Sequence, residues 1–400
     1  MKNVLLCRIY QSVMYVAMFF LPWRTPTLLS GKGAFSELPK KIKNDGFKTV
    51  LIVTDKGLMS LNMLDPLFES LKNENVSYAL FDEVVPNPTI HNVEAALKVY
   101  NESGCEAIIA VGGGSPMDLA KAVGARVAKP NKSLQKMGGV LKIMKKTPTL
   151  YAVPTTSGTG SETTLAAVIT DSDKNFKYAI NDPSLIPDVA VLDPLLTVKL
   201  PSHITSTTGM DALCHAVEAY IGRANTKSTK QNAKEAIVLI KNNLKKAYDD
   251  GEDIEARENM QHASFLAGLA FTRAYVGYVH AIAHSLGGKY HIPHGLANAV
   301  VMPYVFEAYG ENAHKKLAEL ADLIKITNAN DSQEVKAQKF IDWIRDMNAS
   351  MNIKDGFSEI NEDDIPEMAS HAIKEGNPLY PVPKIFDKAA FEAIYKKLMR

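Results

Sequence analysis

EAIIAVGGGSPMDLAKAVGARVA, residues 106–128, begins as an apolar run, passes through three glycines and continues with apolar residues at helical spacing. Such a stretch predicts a buried parallel strand over 106–114, a tight turn and a helix over 115–128. Glycines at Gly112, Gly113 and Gly114 let backbone N–H groups approach a ligand closely. Ser115 suits the N-cap, Pro116 the first helical position, and Asp118 a capping-box-like arrangement. A helix N-terminus of this kind is a ready anion site, although a glycine triplet alone also serves as a plain strand-to-helix turn.

The neighbouring segments repeat the theme. KTVLIV (48–53), SYALFDEVV (77–85) and the start of TLYAVPTTSGTGSE (149–162) read as strands, while 57–73 and HNVEAALKVYNES (91–103) read as helices. Strand–helix alternation argues an α/β domain with a mostly parallel, doubly wound sheet. Thr155, Thr156 and Thr159 follow another strand, and their hydroxyls suit phosphate or ribose. Asp55 follows the first strand, where a carboxylate accepts hydrogen bonds from an adenosine ribose and repels a 2′-phosphate. The acid precedes the glycines, so the usual order of a dinucleotide fingerprint does not apply.

Beyond about residue 200, β-branched runs become scarce and long helical stretches dominate. The expected division is an α/β dinucleotide-binding domain over 1–199 and an all-helical domain over 200–400. A chain of 400 residues also exceeds one ordinary core. With 46% hydrophobic and 22% charged residues and a formal charge of +1, nucleic acid is not an expected partner. Cys7, Cys105 and Cys214 show no metal or disulfide spacing, which suits a reducing cytoplasm. The apolar stretch SVMYVAMFFLPW (12–23) is too short to span a bilayer and lacks the pattern of a secretory signal. It is expected to be a buried strand or an interface segment.

Four of the ten histidines fall within YVHAIAHSLGGKYHIPHG (278–295). His280 and His284 are four apart, as are Asp211 and His215 in MDALCHAVEAY, so each pair shares a helix face. His294 follows a glycine-containing break. Asp211, His215, His280 and His294 could surround a divalent cation, and one carboxylate with three imidazoles suits Fe²⁺, Zn²⁺ or Mn²⁺. His284 could be a fifth ligand or a proton relay. His291 reads as surface and Cys214 as packing.

GGGSPMDLAK, PTTSGTGSE, GMDALCHAVEAYI and HAIAHSLGGKYHIPHG, taken together and in this order, resemble the iron-containing (group III) alcohol dehydrogenases. The resemblance runs from about Thr27 to the C-terminus. It implies NAD as cofactor and Fe²⁺ as metal, with Zn²⁺ possible, held by Asp211, His215, His280 and His294. It gives His284 a place near the reacting carbon. It gives Asp55, Asn87, Gly112, Gly113, Gly114, Ser115, Pro116, Asp118, Thr155, Thr156, Thr159 and Lys177 cofactor contacts. The expected reaction is reversible hydride transfer between a primary alcohol and NAD, in a homo-oligomeric cytoplasmic enzyme with no nucleic-acid or membrane partner. The rival readings are a non-redox metal enzyme of the dehydroquinate synthase kind and a nucleotide-binding protein without catalysis. The stretch FTRAYVGYVH departs from the family at Arg273 and Tyr275, where small residues are usual, so the substrate is not read from the sequence. Phe271 fits a pocket wall.

Overall fold

The computed structural model describes residues 4–173 and 176–400. Backbone contacts group Pro22–Lys199 into one unit, and Leu200–Arg400 with the N-terminal residues up to Leu21 into another.

Among the described residues the first unit holds nine strands: β1 (Thr27–Ser30), β2 (Thr49–Val53), β3 (Ser77–Phe81), β4 (Ala107–Gly112), β5 (Gly139–Val140), β6 (Thr149–Pro154), β7 (Ala166–Asp171), β8 (Phe176–Asn181) and β9 (Val189–Leu192). Six of them form a sheet in the order β1-β9-β6-β4-β2-β3, with every pairing parallel. Its central strands read as continuous apolar runs because both faces are covered. Val50, Ile52, Ala107, Ile109 and Val111 enter one core, and Leu51, Val53, Ile108 and Ala110 enter the other. A smaller sheet, β5-β8-β7, carries the antiparallel β7–β8 pair.

The second unit is helical. Ser202–Ile221, Lys227–Asp249 and Ile254–Ala274 pack on one another, and Tyr278–Tyr290 and His294–Tyr309 share their core. The break between the last two is made by His291, at φ 57°, and Pro293, not by glycine: Gly287 and Gly288 lie inside the first helix and Gly295 in the second.

Three local expectations fail for identifiable reasons. The helix predicted over 57–73 is two helices, Lys56–Ser60 and Asp65–Glu74, because Asn62 turns left-handed and Pro66 can only open a new helix. The strand predicted over 77–85 ends at Phe81, where the chain turns so that Val84 N–H reaches Thr54 O. The apolar N-terminal stretch is neither a strand nor part of the α/β unit. It contributes to a helix, Val4–Met18, that presents its polar side inward. Arg8 donates to the carbonyls of Val382 and Pro383, and buried Gln11 to those of Pro378 and Tyr380. Its apolar side faces out, with Phe20 just beyond it 84% exposed. No helix among the described residues is long and apolar enough to cross a membrane.

Candidate functional site

In the α/β unit, two loops meet at the C-terminal ends of β4 and β6. Thr155 N–H donates to Gly112 O at 3.1 Å. A methyl group on Gly113 would touch Thr156, and one on Gly114 would press on Thr159 at 3.3 Å. Gly112 has φ +147°, and a Cβ there would lie 2.5 Å from Pro116 Cγ. A proline ring cannot swing aside, so Gly112→Ala is expected to cost roughly 1–3 kcal/mol and lower the melting temperature. An unchanged thermal melt would show that the loop can relax around the methyl.

The helix after this loop starts at Gly114 with Gly113 as its N-cap, so neither Ser115 as cap nor Pro116 as first helical residue holds. Asp118 is not part of a capping box. It is half-buried, accepts from Ser161 Oγ and Val168 N–H, and lies near Lys121. Burial lifts its carboxyl up to about 6, against the pull of Lys121. Lys121 donates to Ser161, Thr164 and Ala166, so this network braces the threonine loop from beneath. Asn87, left-handed at φ 57°, accepts from Lys177 Nζ at 2.6 Å, which joins two of the expected cofactor residues. Asp55 caps the helix Lys56–Ser60 by accepting from Leu58 N–H at 3.0 Å, and Lys56 turns to Glu83.

In the helical unit, the ligand atoms of Asp211, His215, His280 and His294 all lie within 4.8 Å of one another. Asp211 Oδ1 is 3.9 Å from His215 Nδ1, 3.9 Å from His280 Nε2 and 3.6 Å from His294 Nε2. Two ligands of one ion, each at ~2.1 Å, sit no more than ~4.2 Å apart, so these distances fit a first-row divalent cation. The donor types fit too: one hard carboxylate and three imidazoles. Burial, then the neighbouring imidazoles, push the pKa of His280 far down, which keeps the ring neutral with a lone pair to give.

Three further residues complete the surroundings, and none was singled out from the sequence. Glu218 Oε2 is 2.6 Å from His280 Nδ1, and its carboxylate also accepts from the N–H groups of Gly277 and Val279. Nδ1 thus carries the proton and Nε2 is left for the cation. Burial raises the Glu218 carboxyl to about 8, while the two backbone donors favour its anion. A Cβ at Gly277 would sit 2.6 Å from Glu218 Oε1, so any side chain there would displace this carboxylate. The amide of Asn298 lies 2.7 Å from Asp211 Oδ1 and just over 3 Å from the Nε2 atoms of His280 and His294. Glu375 holds the Nδ1 of His284. Helical spacing could have found Glu218, which shares a face with Asp211 and His215 at i+7 and i+3. It could likewise have found Asn298, one turn after His294. No local signal marks Glu375.

His284 is outside the ligand group, its ring stacked on that of His294 at 5.0 Å. Phe271 stacks on His215 with centroids 4.1 Å apart, which makes it an apolar wall beside the ligands. Cys214 packs beside the ligand group, its Sγ 3.7 Å from the Nδ1 that His280 gives to Glu218. His291 is an exposed helix C-cap.

Comparison with known proteins places this geometry. The sequence profile described as iron-containing alcohol dehydrogenase matches residues 25–194, and that for the Fe-containing alcohol dehydrogenase family, C-terminal, matches 205–399. Alcohol dehydrogenase 4 of Saccharomyces cerevisiae is 38% identical, over 95% of this chain and 97% of its own. The NAD-dependent methanol dehydrogenase of Bacillus methanolicus is 37% identical, over 89% of this chain and 93% of its own. The solved structure of a 1,3-propanediol oxidoreductase superposes with a TM-score of 0.91 at 36% identity, covering 95% of this chain and all of the other.

Proposed function

The chain belongs to the iron-containing alcohol dehydrogenase family, and from that premise we propose that it interconverts a primary alcohol and its aldehyde with NAD(H). The observation that carries this reading is the convergence of Asp211, His215, His280 and His294. We take Fe²⁺ as the native metal, with Zn²⁺ a competitor for the same donors.

When bound, a divalent cation there supplies Lewis acidity toward the substrate oxygen, and the dinucleotide carries the hydride. The chain does the rest. Asp211 and three neutral imidazoles hold the cation with a single negative charge, so much of its positive field remains for the substrate. Glu218 fixes the His280 ring. Phe271 shields one side of the ligands from water. His284 takes the proton of the alcohol at Nε2 while Nδ1 stays on Glu375. Gly112, Gly113, Gly114 and Ser115 offer backbone N–H groups to the pyrophosphate, Pro116 lines the same turn without a donor, and Thr155, Thr156 and Thr159 add hydroxyls. Asn87 and Lys177 act as a bonded pair beside them. Asp118 supports this loop from within the fold.

The rival non-redox reading needs several basic side chains for a phosphorylated, carboxylated substrate. The groups bonded to the histidines here include Glu218, Glu375 and Asn298, which are acidic or neutral. A panel of short alcohols and aldehydes followed by NADH absorbance, with metal analysis, tests the proposal. No NADH change across the panel in metal-loaded protein would refute it. The reading includes self-association, which a sizing measurement checks, and a reducing cytoplasm, which suits three unpaired cysteines.

Cofactor choice follows from Asp55. NAD offers ribose hydroxyls to its carboxylate, whereas NADP sets a 2′-phosphate against it. At ~4 Å and an effective dielectric of ~20, each pair of unit charges costs about 4 kcal/mol before screening. Lys56, paired with Glu83, does not offset this. The native protein is expected to favour NAD, and Asp55→Gly to gain NADP use several-fold. If Asp55 serves only as the cap of Lys56–Ser60, its replacement by glycine lowers stability by about a few tenths of a kcal/mol and the ratio of kcat/KM for the two cofactors stays put.

A further inference from the structure

The histidine assigned to proton transfer is held by a carboxylate that comes from far along the chain. Glu375 lies in the last turn of the helix Ile365–Gly376. Its Oε1 is 2.6 Å from His284 Nδ1 and also accepts the Tyr380 hydroxyl at 2.7 Å. Glu375 is fixed from behind. Tyr380 N–H donates to Gly376 O at 2.7 Å, and Asn377 accepts the hydroxyl of Tyr278 at 2.7 Å. Gly376 has no room for a side chain, since a Cβ would lie 2.7 Å from Tyr278 Cε1. The two side chains are 43% and 33% exposed, so the pair matters for the orientation of the ring rather than for stability.

We propose that Glu375 is a positioning residue for the reaction: it holds the proton on His284 Nδ1 and fixes the ring, so that Nε2 is the nitrogen that exchanges a proton with the substrate hydroxyl. A neutral imidazole has one donor nitrogen and one acceptor nitrogen. A carboxylate on Nδ1 selects the tautomer with a lone pair on Nε2. Stacking on His294 at 5.0 Å then limits rotation of the ring beside the ligand set. Two donors, the Nδ1–H of His284 and the Tyr380 hydroxyl, meet at this one oxygen and favour the ionised form of the Glu375 carboxyl. The carboxylate therefore stays an acceptor. The pairing mirrors that of Glu218 with His280, but serves a histidine outside the ligand group.

The proposal rests on the role given to His284, and the test separates the two. Glu375→Ala, Glu375→Gln and His284→Ala are prepared in the zinc-loaded enzyme. Glu375→Ala is expected to lower kcat roughly 10-fold or more, a share of the ~10²–10⁴ typical of general acid–base catalysis, with KM for the alcohol and metal content unchanged. Formate or acetate added in trans should restore part of the rate. Two-bond proton–nitrogen correlation on ¹⁵N-histidine protein, assigned by the signal lost in His284→Ala, should show Nδ1–H for His284 in the native enzyme and a mixture in Glu375→Ala. Glu375→Gln keeps the volume and serves if the alanine variant folds poorly. If His284→Ala loses turnover but both Glu375 variants keep native kcat and the native tautomer, the Glu375 proposal is wrong and the His284 role stands. If His284→Ala is itself silent, both fall. A loss of rate that comes with loss of metal makes Glu375 structural and also overturns the proposal.

Discussion

His280→Ala is expected to bind a divalent cation at least ~10²-fold more weakly than the native protein, because replacing even an outer-shell partner commonly costs ~10–100-fold, and to lose NADH-linked turnover with it. His280 is 2% exposed, and its two nitrogens do different work. Nε2 faces Asp211 at 3.9 Å, and Nδ1 donates to Glu218 at 2.6 Å. Removing the ring deletes one of four ligands and leaves a fully buried carboxylate with two donors instead of three. The remaining set of Asp211, His215 and His294 would hold metal loosely. Metal content after gel filtration, and competition against a chelator, read the loss directly. Native protein that holds no metal after loading, or that turns over undiminished in excess chelator, would remove the basis for the whole functional reading.

A second large effect is expected at His284. Its side chain is 43% exposed and lies outside the ligand group, so His284→Ala should keep the metal content of the native protein. Turnover should fall roughly 10²-fold, the lower range for a positioned general acid or base. His284 lies one helical turn from His280, close enough to serve the same substrate but turned toward Glu375. Elemental analysis beside steady-state kinetics separates the possibilities. Metal loss would make His284 a ligand, and unchanged kcat would make it a structural residue.

What the sequence made legible follows from how far each signal reaches. Asp211 with His215, and His280 with His284, are one helical turn apart, so side-chain spacing carried them correctly into one neighbourhood. The parallel sheet was visible because β2, β4 and β6 are buried on both faces and so read as unbroken apolar runs. The glycine loop was visible, but its helix start was misplaced. The Ser115–Pro116 pair looks like a cap and first residue, yet Gly113 and Gly114 take those positions because the loop must pass close to Thr156 and Thr159. Asp118 shows the limit of pattern reading. An acid near a helix start resembles a cap or a ligand contact, and only the folded structure reveals a partner of Ser161 and Val168. Glu375 was illegible because it meets His284 across 91 residues.

The N-terminal helix adds a consequence for anyone who handles the chain. Arg8 and Gln11 hold the carbonyls of Pro378, Tyr380, Val382 and Pro383, the strip that begins three residues after Glu375. An apolar leader with its greasy side out invites trimming as a solubility measure. Cutting away Val4–Met18 would take the Arg8 and Gln11 donors from these carbonyls, of which Tyr380 O keeps its bond from Val382 N–H, and would unfasten the strap that carries Tyr380. Point changes on the outer face, at Leu5, Ile9, Val13 or Phe20, are the safer way to make the surface more polar while leaving that fastening in place.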